Sequence, residues 1–163
     1  MKADTKTKPD PLLALVRITE KQARVTIEDD GEELINHFVG ETESGALNMI
    51  VVPWADSASR LAMLAIVRAK FREWRVVRYC HVAESWMGKR ANLMPRLDPE
   101  REEVLSIVAV DRPAGIRTAY IYPIERLPNG KRRVGQPNPE ANEDDGVKVG
   151  GASLEILEGD GKN

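Results

Sequence analysis

Ala46-Leu47-Asn48-Met49-Ile50-Val51-Val52-Pro53 opens the stretch, ending at Met87, that decides the fold. Met49 to Val52 is an unbroken apolar run, which suits a strand buried on both faces and therefore predicts a central position in a sheet. Asp56 and Ser57 then each offer an N-cap oxygen. Ser57 to Trp74 holds neither Gly nor Pro and is rich in Ala, Leu, Met and Arg, so a helix of about five turns is expected. Arg75-Val76-Val77-Arg78-Tyr79-Cys80-His81-Val82-Ala83 returns at once to β-branched and aromatic residues, predicting a second strand. A strand, a helix and a strand this closely joined make a crossover, and crossovers between parallel strands are right-handed almost without exception.

Upstream of this stretch, Asp10-Pro11 reads as an N-cap followed by proline at the first helical position. Leu12, Leu13, Leu15, Val16 and Ile18 then predict a helix running to about Gln22. Glu28 to Val39 predicts a second helix, with acidic residues crowded at its start, Leu34, Ile35 and Phe38 on one face and Gly40 closing it. Gly31 weakens that helix, and a strand over Ala23 to Glu28 competes with it. Leu61 to Val67 is apolar on every side, so the long helix is expected to be covered twice, by the sheet beneath and by the N-terminal helices above.

Downstream, Asp98 to Glu102 suits one capped turn and Val104 to Val110 is a strand. Asp111-Arg112-Pro113-Ala114-Gly115 is turn chemistry, and Arg117 to Tyr122 completes an antiparallel hairpin. From Leu127 the chain turns polar and rich in Gly and Pro, with only Val147 to Val149 and Ala152 to Leu157 able to add an edge strand. The expected fold class is α+β: residues 10–126 form a single domain with a mixed sheet, between a disordered 1–9 and a tail at 127–163.

With 163 residues the chain is long enough for one domain with a sizeable core, and its 42% apolar content is that of a globular protein. The net charge of −2 points to no polyanionic partner, but the charge is segregated. Met1 to Asp56 carries six basic against eleven acidic residues, Ser57 to Leu97 nine against two, and the remainder nine against thirteen. Cys80 is the only cysteine, which excludes an internal disulfide and suggests a reducing compartment. The N-terminus lacks the apolar core of a signal peptide and no apolar run spans a bilayer, so a cytoplasmic protein without a membrane partner is expected.

Glu84 and Trp86 share a strand face with Cys80. A carboxylate beside a Trp can be a general acid or a ligand-orienting pair; the plainer alternative is a Trp capping the core while Glu84 pairs with an arginine. His81 points away from both Cys80 and Glu84, and His37 is expected on a solvated helix, so neither a metal site nor a cofactor is indicated. Gly-x-Ser-x-Gly and phosphate-loop spacings are absent. A small enzyme would have to use Glu84, Asp111 or His81 in a shared pocket. The basic middle third could form a patch for nucleic acid from Arg60, Arg68, Arg72, Arg75, Arg78, Lys89, Arg90 and Arg96, provided they share one face.

Ala83-Glu84-Ser85-Trp86-Met87, followed by Pro95-Arg96-Leu97-Asp98-Pro99-Glu100-Arg101-Glu102-Glu103-Val104, resembles a pattern in a family of small uncharacterised bacterial and phage-like proteins. There a strand ending in a Glu-Ala-Trp-Met type sequence precedes a Pro-Asp-Arg-Glu-Glu type turn and a hairpin; this chain has Ser85 in place of the Ala. The resemblance spans about Met49 to Tyr122 and implies the order of elements, with no activity attached. Arg101 is expected to reach back to Glu84 and fix the start of the hairpin. The function expected is a non-catalytic protein-binding or accessory module contacting another protein or its own copy, with Glu84, Trp86, Arg78, Arg101, His81 and Asp111 as candidate binding residues.

Overall fold

The computed structural model describes residues 10–53, 56–89, 92 and 97–137. Helix α1 spans Pro11–Arg24, where Asp10 caps its start by accepting from the Leu12 and Leu13 amides, and a five-residue π turn, Val25–Asp29, follows directly. Strands β1 (His37–Thr42) and β2 (Leu47–Val51) form a hairpin, and α2 runs Ser57–Glu73 from an Asp56–Ser59 capping box. After α2 come β3 (Val76–Met87), β4 (Glu102–Asp111), β5 (Ile116–Arg126) and the short β6 (Arg132–Val134). All six strands share one sheet in the order β2-β1-β3-β4-β5-β6, with every neighbouring pair antiparallel.

The chain is therefore α+β, but its sheet is antiparallel where a mixed one was expected. Strand, helix and strand follow one another as β2, α2 and β3, yet β1 lies between the two strands, and β2 sits at the sheet edge. The Met49–Val52 run misled because an apolar run can also be an edge strand with greasy residues left outside: Leu47, Met49 and Val51 are exposed. The expected helix over Glu28–Val39 does not form. Gly31 takes φ 66°, a left-handed value that breaks the helical path, and His37–Val39 enters β1 with all three side chains buried. The competing strand over Ala23–Glu28 is instead the end of α1 and the π turn. Gly40 closes no helix; a Cβ there would lie 2.9 Å from Val76 and 3.1 Å from Phe71, so its bareness lets α2 and β3 settle on β1.

The two larger cores lie on opposite faces of the sheet. On one, Leu12, Leu15, Val16, Ala23 and Ile27 pack against Val39, Cys80, Val82, Leu105, Ile107 and Tyr122. On the other, Leu64, Val67 and Phe71 of α2 pack against Phe38, Tyr79 and Val110. Phe38 and Phe71 meet edge-on at 6.1 Å, and each ring contributes about 2–3 kcal/mol by leaving water. Because α1 and α2 occupy opposite faces, α1 does not roof α2 as expected. Leu61 is 69% exposed, and Ile66 with Ala62, Ala65 and Ala69 shares an outward stripe.

The domain expected to stop at residue 126 continues through β6. Val134 is buried, and Arg24 ties β6 to α1 by donating to the carbonyls of Val134 (2.5 Å) and Gly135 (2.8 Å). Expectations for residues 1–9, for 138–163 and for the possible strands at 147–149 and 152–157 lie outside the described residues.

Candidate functional site

On the α1 face of the sheet, α1 covers β3 to β5 and leaves the outward side of β2 bare. Between the end of α1, the π turn, the 32–35 segment and the first sheet hairpin lies a groove of about 510 Å³. Its floor is apolar, with Val25, Leu34, Ile35, Met49 and Val51; Met49 is 50% and Val51 47% exposed. A run of acidic residues rises along one side: Asp29, Asp30, Glu32 and Glu33 are all exposed, and Glu32 and Glu33 line the groove. Among the described residues β2 pairs only with β1, so its outer backbone edge faces away from the sheet. An open, apolar edge is a template for adding a strand, and natural proteins usually blunt such edges with charge. Here the charge stands beside the edge rather than on it. His37 closes the groove's inner end, its Nδ1 2.8 Å from the Ile35 carbonyl oxygen, and burial lowers its pKa from the ordinary 6.5.

Glu84 fixes the shape of this groove from behind. Its Oε1 accepts from the Leu34 amide at 3.1 Å, and its Oε2 accepts from Arg132 Nη1 at 3.0 Å. Arg132 also donates to Glu103 (2.9 Å) and to the Glu32 carbonyl (2.9 Å), so one guanidinium links β3, β4 and the acidic run. At 9% side-chain exposure for Arg132 and 17% for Glu84, this is a largely desolvated pair that must be kept whole. The partner of Glu84 is thus Arg132 and not Arg101. Arg101 instead lies over the Trp86 ring at 4.7 Å, a cation–π contact at the far end of β3. The Arg132 partnership was hidden in the sequence because the 127–163 segment reads as tail.

The remaining candidates lie elsewhere. Arg78 bridges Glu41 and Asp111, the latter at 3.2 Å, and those contacts raise its pKa; Asp111 also accepts from the Ala114 amide, stapling the β4–β5 turn. His81 is buried on the α2 face, stacked on Phe38 at 4.5 Å. Glu84 and Asp111 share the α1 face but sit six residues apart along the paired strands, about 20 Å. Glu84, His81 and Asp111 therefore share no pocket. Among the described residues, no three of His, Cys, Asp and Glu gather as a metal ion would need.

The basic residues disperse as well. Lys89 pairs with Glu102 at 3.0 Å, Arg60 acts on His81 from α2, and Arg90 and Arg96 lie outside the described residues. Arg68 is half-buried on α2. Arg72 and Arg75 do line one cleft, at the junction of α2 and β3, together with Arg112. Sequence inspection missed Arg112, because nothing in a turn sequence tells which strand end it will face.

No family model, no curated protein and no solved structure matches this chain. Among the described residues no helix is long and apolar enough to cross a membrane.

Proposed function

We propose that this protein is a non-catalytic protein-binding module whose docking surface is the groove beside β2. Its occupant is a segment of another protein with alternating apolar residues flanked by Lys or Arg. One observation carries the reading: three apolar side chains, Leu47, Met49 and Val51, stand exposed on a sheet edge that no other described strand pairs with. Added as a strand, the occupant satisfies the outer amides and carbonyls of β2, places alternate side chains over Met49 and Val51, and sets its basic flanks against Asp29, Asp30, Glu32 and Glu33. That charge pattern disfavours a second copy here, since its own acidic run would meet another. The π turn at the groove's rim fits the habit of such turns to occur at functional positions.

Fluorescence anisotropy tests the reading with two labelled strand-forming peptides of one apolar pattern, flanked by lysines in one and by glutamates in the other. The lysine-flanked peptide is expected to bind, more weakly as salt rises, and to be lost with Val51→Lys. Equal binding of both peptides, or binding that survives Val51→Lys, refutes the reading. Sedimentation of the free protein reports self-association through the stripe around Leu61 and Ile66, the arrangement that would replace it.

The proposal extends to the setting. A cytoplasmic location is supported by a lone thiol, Cys80, held in the core. Membership of the small bacterial and phage-like family is supported by the resemblance over Ala83 to Val104 and by a hairpin that starts at Glu102.

A further inference from the structure

At the opposite end of α2 from its cap, Arg72, Arg75 and Arg112 line a cleft of about 460 Å³. Backbone contacts fix all three. The Arg75 amide donates to the Arg72 carbonyl (3.1 Å), the Arg75 carbonyl accepts from the Glu43 amide (3.0 Å), and the Arg112 amide donates to the Val77 carbonyl (3.0 Å). Arg75 takes φ 53°, and it is the one residue other than glycine with a left-handed φ among the described residues. A position suited to glycine therefore carries an arginine, whose side chain projects into a cleft already lined by two more. Glu43 lies 3.9 Å from Arg75, and both side chains are more than half exposed, so it only weakly offsets the Arg75 charge.

We infer that this cleft binds a small phosphate-bearing molecule. Guanidinium groups present forked donors that match phosphate oxygens two at a time, and each carries five N–H groups, so a ligand can be added to the contacts it already makes. The volume falls in the range of small-molecule sites, and Pro113 with Val77 supplies an apolar wall for the body of the molecule. A nucleic-acid backbone is disfavoured because it needs a track of many phosphate contacts. Beyond the cleft, Lys89 is paired with Glu102 and Arg78 with Glu41 and Asp111. The inference is independent of the groove beside β2, which lies on the other face of the sheet.

Isothermal titration of the full chain with pyrophosphate and with ADP, at low salt, is the test. Saturable one-to-one binding is expected, falling at least tenfold with Arg75→Gly and with Arg112→Gln, and strengthening with Glu43→Gln. Arg75→Gly is also expected to melt no lower than the parent, because glycine relieves the left-handed backbone; Arg75→Asn, which tolerates that backbone, replaces it should the glycine variant fail to fold. Absence of saturable binding by either probe, or undiminished binding by the Arg75 variant, overturns the inference. Binding of a single-stranded oligonucleotide in clear preference to both probes overturns it too.

Discussion

Acid should weaken this protein through His81 by an amount the structure sets. The imidazole is buried among Phe38 and the α2 core; burial first, then the nearby His37 and Arg60, hold its pKa down from the ordinary 6.5 to about 4. In the unfolded chain the ring takes a proton as pH falls through 6.5, while in the folded protein it stays neutral until about 4. The stabilisation is therefore complete above 6.5 and is lost progressively as pH falls from 6.5 towards 4. Linkage at about 1.4 kcal/mol per pH unit makes the loss about 2 kcal/mol between about pH 7.5 and about pH 5. That is roughly a thirty-fold change in the folded-to-unfolded ratio. Urea unfolding followed by circular dichroism at both pH values measures it in the parent and in His81→Phe, which keeps a ring against Phe38 and removes the proton site. The parent should lose about 2 kcal/mol more than the variant over this interval. Equal losses would refute the reasoning, since carboxylates and His37 titrate in both proteins.

Several other perturbations have signed outcomes. Arg132→Ala leaves Glu84 and Glu103 facing each other without their shared cation and should cost about 3 kcal/mol in chemical denaturation. Arg101→Ala removes the contact with the Trp86 ring and a long hydrogen bond to the Asp98 carbonyl (3.5 Å), and should cost under about 1 kcal/mol, with the difference between the two variants read in the same assay. Gly40→Val drives methyl groups into Val76 and Phe71 and should destabilise by about 2 kcal/mol, seen as a lower urea midpoint with the same slope. The Cys80 thiol is fully buried, and burial pushes its pKa up to about 12, so it should react with a thiol reagent only as fast as the core opens. Native reactivity equal to that of the urea-unfolded chain would contradict that placement.

Much of the local structure was legible in the sequence. Asp10-Pro11 and Asp56 mark the starts of α1 and α2 because capping is a contact between near neighbours, and Asp111 to Gly115 marks the β4–β5 turn for the same reason. The order of strands was not legible. β1 has Gly40 in its middle and polar residues at its end, a weak strand signal in isolation, and it becomes a strand because β2 and β3 flank it. Its insertion between them moves β2 to the edge and so exposes Met49 and Val51. The apolar run that pointed to a buried centre is instead the feature that marks the candidate site, where local pattern and global placement disagree. The ion pair of Glu84 was anticipated in kind but not in partner, since Arg132 lies 48 residues away in the sequence.

Amide chemical shifts of the labelled protein, recorded while a lysine-flanked apolar strand peptide is added, test the account most directly. The account predicts shift changes confined to residues 25–35 and 47–51, with the β2 amides gaining protection from hydrogen exchange as a seventh strand pairs with them. Changes centred on α2 and β5, or unaltered exchange along β2 at saturating peptide, would contradict it.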